Sequence, residues 1–176
     1  MRLRYVYALT LVAMMFCHSQ VAMATEYHIG AGDLLSITVF GEADLSLKEV
    51  RVATDGTVSF PLLGQQTISG LTTQEVEQKL TALLHDGYLK KPKVTVSILQ
   101  YRLLYVTGQV KKPGAYNYVE GLTVEKAIAL AGGFTVRGSE KKISMVRENK
   151  PGVAHKVDKN DAVNPGDIIR VGERFF

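Results

Sequence analysis

The stretch from Gly108 to Gly133, GQVKKPGAYNYVEGLTVEKAIALAGG, constrains the fold of this chain most, because strand, turn and helix signals follow one another in it without a gap. Residues 103–107 before it are apolar and β-prone, and residues 115–119 resume a strand. Between them, Lys112-Pro113-Gly114-Ala115 predicts a type II turn, in which the proline fixes φ and the glycine takes a positive φ. A strand–turn–strand unit is therefore expected.

A helix is predicted immediately after the second of these strands. Thr123 can cap its N-terminus through the hydroxyl, Glu125 complements the positive end of the helix dipole, and Leu122 can pack onto Ala127. Gly132 is expected to end the helix in a left-handed conformation. One face of the helix is apolar and carries Val124, Ala127, Ile128 and Ala131. The stretch is thus a ββα unit whose small-residue helix can lie close to a sheet.

The first 24 residues are predicted to be an export signal that does not belong to the fold. Arg2 and Arg4 form a basic start, residues 5–16 are apolar, and Ala22-Met23-Ala24 has the A-x-A pattern of a cleavage site. Cleavage is expected between Ala24 and Thr25. The apolar run is shorter than the roughly 20 residues that a membrane-spanning helix needs. The mature chain is therefore expected to be exported to the periplasm in soluble form.

Cysteine usage and charge narrow the class of protein further. Cys17 lies inside the predicted signal, where an ordinary signal-peptide cysteine is preferred to lipidation because bulky residues precede it. The 152 residues after Ala24 contain no cysteine, so neither disulfides nor a thiol nucleophile are expected. Loss of the two signal arginines leaves 19 basic against 17 acidic residues. This near balance argues against a nucleic-acid partner.

Strand signals dominate the first part of the mature chain. Leu35, Ile37 and Val39 alternate with polar residues and predict a half-buried strand. The Gly30-Ala31-Gly32 turn before it precedes a strand and not a helix, which excludes a dinucleotide-binding loop. Asp55-Gly56 predicts a β-hairpin between residues 50–53 and 57–60, and residues 65–68 are expected at a sheet edge. A further half-buried strand is predicted by the alternation of Val94, Val96 and Ile98.

Another helix is predicted between these strands. Thr72 and Glu75 form a capping box, and Gly87 ends the helix. Its apolar stripe consists of Val76, Leu80, Leu83 and Leu84. The sequence at its start, Gly70-Leu71-Thr72, returns as Gly121-Leu122-Thr123. This short repeat favours two separate modules that begin a helix in the same way over a true duplication of one module. Duplication stays an open alternative.

The chain is therefore expected to be an α+β protein of two small domains. The limits are the signal peptide at residues 1–24, an α/β module at residues 25–101 and a β-grasp module at residues 102–176. In the second module a helix would pack across a curved sheet. Its remaining strands are predicted at residues 142–147, 155–157 and 168–171, with turns at residues 149–152 and 164–167.

No pattern for catalysis or metal binding is present in the sequence. The four histidines are scattered, without H-x-x-x-H or C-x-x-C spacing, and no G-x-S-x-G elbow occurs. Asp33, Asp55, Glu120 and Asp167 are the carboxylates that a glycosidase could use, but each falls in a predicted turn with an ordinary local role. No catalytic residue, cofactor or metal ligand is therefore assigned, and the chain is expected not to be an enzyme.

Tyrosines gather around the first strands of the second module, at Tyr101, Tyr105, Tyr116 and Tyr118. Exposed rings at these positions could stack on sugars or fill an interface, whereas half-buried rings in strands are the commoner outcome. The residues that bind a glycan stay unassigned.

Two segments resemble known domains. YHIGAGDLLSITVF, followed by V-x-x-D-G-T-V-x-F-P-x-L-G and G-L-T-x-x-E, resembles the polysaccharide biosynthesis/export domain. The stretch G-Q-V-x-x-P-G-x-Y to A-G-G-F resembles a soluble-ligand-binding β-grasp (SLBB) domain. Together they cover nearly all of the mature chain, which is therefore similar to the outer-membrane polysaccharide export family.

The resemblance implies a homo-oligomeric ring in the periplasm through which an exopolysaccharide passes outward without catalysis. The implied partner is an inner-membrane polysaccharide co-polymerase, often a tyrosine kinase. Longer members of the family look lipidated and carry further β-grasp copies and a C-terminal membrane helix. A short form is expected here, associated with the outer membrane through partners.

In this short form a separate outer-membrane β-barrel would complete the conduit. The terminal Phe175-Phe176 pair would either dock that barrel or pack against its own sheet. The alternative function is a periplasmic ligand- or glycan-binding module without a transport role.

Overall fold

The computed structural model describes residues 26–174. The predicted cleavage site at Ala24 and Thr25, Cys17 and the pair Phe175-Phe176 lie outside the described residues. Within this range, two α-helices and ten strands form an α+β fold, which confirms the predicted class. None of the helices within residues 26–174 is long and apolar enough to cross a membrane.

The elements divide into an N-terminal half, residues 26–100, and a C-terminal half, residues 104–174. The N-terminal half contains β1 Leu34–Val39, a 3-10 turn Ala43–Leu45, β2 Leu47–Arg51, β3 Thr57–Phe60, β4 Gly64–Thr67, α1 Thr73–His85 and β5 Val94–Gln100. The C-terminal half contains β6 Leu104–Gly108, β7 Gly114–Tyr116, α2 Val124–Leu130, β8 Gly138–Val146, β9 Ala154–Lys156 and β10 Ile168–Glu173.

The N-terminal half surrounds one hydrophobic core with a sheet, a hairpin and a helix. β1 lies between β2 and β5 in an antiparallel sheet, and β3 pairs with β4. As predicted, Leu35, Ile37 and Val39 of β1 are buried. They share the core with residues of α1 and of the hairpin, among them Val58, Phe60, Ile68, Val76, Leu80 and Leu84. Burial of these side chains supplies the main driving force for folding of this half.

The hairpin predicted across Asp55-Gly56 is wrong in its strand pairing. A tight turn does form there, because the Ala53 amide donates to the Thr57 carbonyl at 2.9 Å. However, Val50 and Arg51 pair with β1, Val52 is hydrogen-bonded to Gly32 and Asp33 directly before it, and Val58 is buried in the core. β3 therefore pairs with β4, which follows it directly.

Helix α1 begins and ends as predicted. The Thr72 side chain accepts a hydrogen bond from the Glu75 amide, and the Glu75 carboxylate accepts one from the Thr72 amide at 2.8 Å. The reciprocal pair satisfies two amides that the first turn would otherwise leave without partners. Val76, Leu80 and Leu84 of the predicted stripe are fully buried, and Leu83 is half-buried.

The C-terminal half has the β-grasp arrangement, in which a helix lies across a mixed sheet. The five strands follow the order β7-β6-β10-β8-β9, and the central pair β6 and β10 is parallel. The apolar face of α2 is buried as predicted. It packs into a core that includes Leu104, Val106, Ile143, Met145, Ile169 and Val171.

The turn predicted at Lys112-Pro113-Gly114-Ala115 is wrong in type. Gly114 does not take a positive φ, and it starts β7 opposite Val106. The backbone of the two preceding lysines is instead hydrogen-bonded at the end of α2. The amides of Lys111 and Lys112 donate to the carbonyls of Gly133 and Ala131 at 3.0 and 2.8 Å. These contacts satisfy carbonyls at the end of α2, so the chain approaches β7 from the helix and not through a type II turn.

Candidate functional site

Arg102 lies in the three-residue connection between β5 and β6, where the two halves meet. Its backbone amide donates to Asp33 Oδ1 at 2.7 Å, and its guanidinium Nη1 lies 3.2 Å from Asp33 Oδ2. The Asp33 side chain is fully buried, and that of Arg102 is 16% exposed. A buried carboxylate without such partners would be costly, so this pair ties the connection to the N-terminal half.

Asp33 is held by further donors from its own half. The Gly30 amide donates to Oδ2 at 2.8 Å, and the Tyr27 hydroxyl donates to the same oxygen at 2.6 Å. The hydroxyl also accepts a hydrogen bond from Arg102 Nη1. Burial, followed by the hydrogen bond to Asp33 and its negative charge, raises the pKa of Tyr27 far above its ordinary value. Tyr27 is therefore a neutral phenol that donates to the carboxylate.

Glu148 connects the same arginine to the C-terminal half. Arg102 Nε donates to Glu148 Oε2 at 2.6 Å. Gly166 approaches this contact so closely that an added Cβ would collide with the Glu148 carboxylate. Arg102 therefore bridges Asp33 of one half and Glu148 of the other, and the surrounding residues leave it little room to move.

A second buried carboxylate, Asp167, repeats the local pattern of Asp33. Its Oδ2 accepts from the Asn164 amide at 2.8 Å and from Arg147 Nη1 at 2.6 Å. Each aspartate follows a glycine and directly precedes an apolar strand, β1 in one case and β10 in the other. Both ion pairs lie beside the junction of the halves and order the loops that surround it.

Three tyrosine rings line the junction in an edge-to-face series. The ring centroids of Tyr27 and Tyr101 are 4.8 Å apart with planes at 87°, and those of Tyr101 and Tyr118 are 5.1 Å apart with planes at 82°. The guanidinium carbon of Arg102 lies 5.6 Å from the Tyr27 ring centroid. Edge-to-face and cation–π contacts of this kind hold rings in fixed orientations. All three rings remain half-buried, so part of each faces the space between the halves.

That space is a cleft of about 760 Å³, called the central cleft below. It is lined by both halves, since Tyr27 belongs to the N-terminal half and Tyr118 and Glu120 belong to the C-terminal half, with Tyr101 in the connection between them. The exposed side chains at its rim are polar or charged: Glu26, His28, Glu120, Asn149 and Asn164. An apolar aromatic wall with a polar rim is typical of small-molecule and glycan sites.

The carboxylates considered for glycosidase chemistry are not arranged as a catalytic pair. Asp33, Asp55 and Asp167 each accept a local backbone amide, which confirms the turn role predicted for them. Two of the three are also neutralised by buried ion pairs. Of the four carboxylates considered, Glu120 is the one that is exposed in the central cleft. Among residues 26–174, no group of three or more histidine, cysteine or acidic side chains is placed to hold a metal ion.

The tyrosines singled out from the sequence separate into three environments. Tyr101 and Tyr118 line the central cleft, and Tyr116 packs against the C-terminal core. Tyr105 is 45% exposed on the outer face of the β-grasp sheet. Sequence reasoning did not identify Tyr27 and Arg102, which complete the junction from positions 75 residues apart.

Two family models match the chain in the order of its halves. The polysaccharide biosynthesis/export protein family matches residues 21–99, and the SLBB domain matches residues 103–155. The chain therefore belongs to the polysaccharide biosynthesis/export family.

Curated relatives agree with this assignment. The chain is 32% identical over 134 residues to the exopolysaccharide production protein ExoF of Rhizobium meliloti, an alignment that covers 70% of this chain and 32% of ExoF. It is 31% identical over 188 residues to the EPS I polysaccharide export outer membrane protein EpsA of Ralstonia solanacearum, covering 88% of this chain and 50% of EpsA. The polysialic acid transport protein KpsD of Escherichia coli is 26% identical over 133 residues, covering 74% of this chain and 24% of KpsD. The chain thus spans at most about half the length of these relatives.

Proposed function

We propose that this protein is a periplasmic component of an exopolysaccharide or capsule export machinery. It would form part of a conduit that carries polysaccharide outward without catalysing a reaction on it. One observation supports the proposal most. In this member of the export family, an export-type half and a β-grasp half meet at a cleft with an aromatic wall and a polar rim. Such a surface offers a sugar chain many weak contacts, which is what a sliding polymer requires.

The proposed location depends on the export signal. Processing between Ala24 and Thr25 would release the mature chain in the periplasm, with domain limits at residues 25–101 and 102–176. N-terminal sequencing of the protein from a periplasmic extract is expected to start at Thr25. Recovery of most of the processed protein from the cytoplasm would contradict the proposal.

The proposed assembly is a homo-oligomeric ring. The outer face of the β-grasp sheet supports it, because Tyr105 and Ile168 are neighbours in register on β6 and β10 and are 45% and 41% exposed. Val146 on β8 continues the row, opposite Ile168. Val146 is half-buried. A row of exposed and half-buried aromatic and aliphatic side chains across three strands is the kind of surface that a subunit contact buries.

The partners proposed for the ring are an inner-membrane polysaccharide co-polymerase and an outer-membrane component that completes the conduit. Native mass spectrometry and crosslinking of the processed protein, with and without the co-polymerase, test both the ring and this contact. A persistent monomer with no affinity for the co-polymerase would favour the alternative function.

Deletion of the gene tests the function directly. The deletion strain is expected to lose secreted polysaccharide while its precursor accumulates inside the cell, and the wild-type gene should restore secretion. Unchanged secretion in the deletion strain would overturn the export proposal.

The alternative is a periplasmic module that binds a small ligand or glycan and transports nothing. The volume of the central cleft supports this alternative, since about 760 Å³ lies within the range of small-molecule sites, roughly 300–1,000 Å³. Under this alternative, deletion would leave secretion unchanged while the purified protein still bound its ligand in the cleft.

A further inference from the structure

The wall of the central cleft offers a rigid aromatic surface. Tyr101 lies between Tyr27 and Tyr118, and each neighbour meets it edge to face. Tyr27 is fixed in addition by its hydrogen bonds to Asp33 and Arg102. Because these contacts preset the ring orientations, a ligand that packs its C–H groups on the rings loses little side-chain freedom of the protein on binding.

The rim of the cleft supplies hydrogen-bonding groups that are not used within the protein's ion pairs. Asn149, Asn164 and Glu120 are exposed at the rim. The side-chain amides can donate to and accept from hydroxyl groups, which a sugar presents at its ring edge, and the carboxylate can accept from them. Aromatic rings on the wall and amides and carboxylates on the rim therefore match the apolar face and polar edge of a pyranose.

The charges of the cleft decide which kind of glycan fits. Its arginines, Arg102 and Arg147, are both engaged by carboxylates, at Glu148 and Asp167 respectively. The remaining rim carboxylates, Glu26 and Glu120, form no ion pair within residues 26–174. The accessible charge is thus negative, and it would repel a uronate, sialate or sulfate group at close range.

We infer that the central cleft is a binding subsite for a short neutral segment of the exported polysaccharide, with Tyr101 and Tyr118 as its stacking surface and Glu120 as its charge filter. The inference rests on the proposed export function, which supplies the polymer. Binding at one such subsite is weak, and this lets a chain advance from one subunit to the next.

Titration of the purified processed protein with fragments of the secreted polymer tests this inference. The fragments come from partial hydrolysis of polysaccharide secreted by the strain that carries the gene, separated into neutral and acidic pools by ion exchange. Ligand-observed NMR is expected to detect the neutral pool. The double variant Tyr101→Ala/Tyr118→Ala should weaken this binding about tenfold or more.

Two further variants make the result interpretable. Tyr88→Ala removes a half-exposed ring that does not line the cleft, and it should bind like the wild type. Glu120→Gln changes an exposed side chain without altering its size, so the fold is retained. It should increase the affinity for the acidic pool severalfold relative to the neutral one. Circular dichroism establishes that each variant is folded.

Several outcomes would overturn the inference. These are preference of the wild type for the acidic pool, no binding of either pool, a polymer that yields only acidic fragments, or equal binding by the double tyrosine variant. Measurement of polysaccharide secretion distinguishes a failure of the subsite inference from a failure of the proposed export function. If the deletion strain secretes normally, the export function itself is wrong. If secretion requires the gene and the double tyrosine variant restores it fully, only the subsite is wrong.

Discussion

Asp33 and Arg102, 69 positions apart, are joined through both the backbone and the side chain of the arginine. One carboxylate oxygen accepts the Arg102 amide and the other faces the guanidinium. The amide contact does not depend on the arginine side chain, so the connection between the halves is held even when that side chain moves. The side chain then adds the link to Glu148 in the other half.

Asp33→Ala is expected to lower the free energy of unfolding by about 3–5 kcal/mol, since it leaves a largely buried arginine, one buried amide and one partly buried amide without their acceptor. Urea unfolding of the processed protein measures this change.

Glu148→Gln is the matched comparison for Asp33→Ala. The Glu148 side chain is 46% exposed, and its ion pair with Arg102 is screened by solvent. Its replacement should therefore cost less than about 1 kcal/mol. Equal effects of the two substitutions would show that the buried aspartate does not dominate the junction.

Gly108→Ala should destabilise the C-terminal half strongly. Gly108 has φ +83°, and an added Cβ would collide with the backbone carbonyl of Val171 on the neighbouring parallel strand. Neither backbone can move without breaking the β6–β10 pairing, so loss of soluble folded protein is expected.

Gly152→Ala is the matched control, because it introduces the backbone strain of a positive φ without the collision expected at Gly108. Gly152 has φ +82° but open space around its Cβ position, so only the left-handed conformation is penalised, by roughly 1–2 kcal/mol. Thermal unfolding and soluble yield of both variants, measured side by side, check the difference. Similar stability of the two would contradict the close strand approach.

Local chemistry made much of the fold predictable. The capping box at Thr72, the buried face of α2 and the alternation of β1 depend on residues close in sequence, and all three were predicted correctly. The wrong predictions concern which segments of the chain pair with or contact one another. Asp55-Gly56 determines a turn but not which strands pair, and Pro113-Gly114 was displaced from its turn by contacts with the end of α2.

The junction was less predictable, because the side-chain contacts of Arg102 join residues 46 to 75 positions apart. Nothing near Tyr27 or Arg102 in the sequence indicates that they meet Asp33. A signal did exist in the paired Gly-Asp steps before β1 and β10, where a buried aspartate begins an apolar strand. A buried carboxylate needs a partner, so each Gly-Asp pair indicates a contact with a basic residue from elsewhere in the chain.

Thr72→Ala is expected to destabilise the N-terminal half by about 1 kcal/mol, because it removes the side-chain acceptor at the start of α1. Thr73→Ala, one position later, keeps the capping box and should change the free energy of unfolding much less. Urea unfolding followed by circular dichroism measures both. A larger loss for Thr73→Ala than for Thr72→Ala would argue against the capping role.

Tyr27 predicts a loss of stability in alkali. Burial, then the hydrogen bond and charge of Asp33, raise the pKa of Tyr27 in the folded protein above its unfolded value of about 10. The folded state therefore holds the phenolic proton more tightly. This contribution to stability is complete below the unfolded pKa and decreases as pH rises towards the folded pKa.

Tyr27→Phe isolates this contribution from the other groups that titrate in alkali. At neutral pH it should cost about 0.5–1.5 kcal/mol, since Asp33 loses one donor. Above about pH 10, stability should fall less steeply with pH than in the wild type, by up to about 1.4 kcal/mol per pH unit, because one proton fewer is released on unfolding. Urea unfolding at a series of pH values measures the slopes. Parallel slopes for the two proteins would mean that Tyr27 does not retain its proton in the folded state, and that its hydroxyl is not held by Asp33.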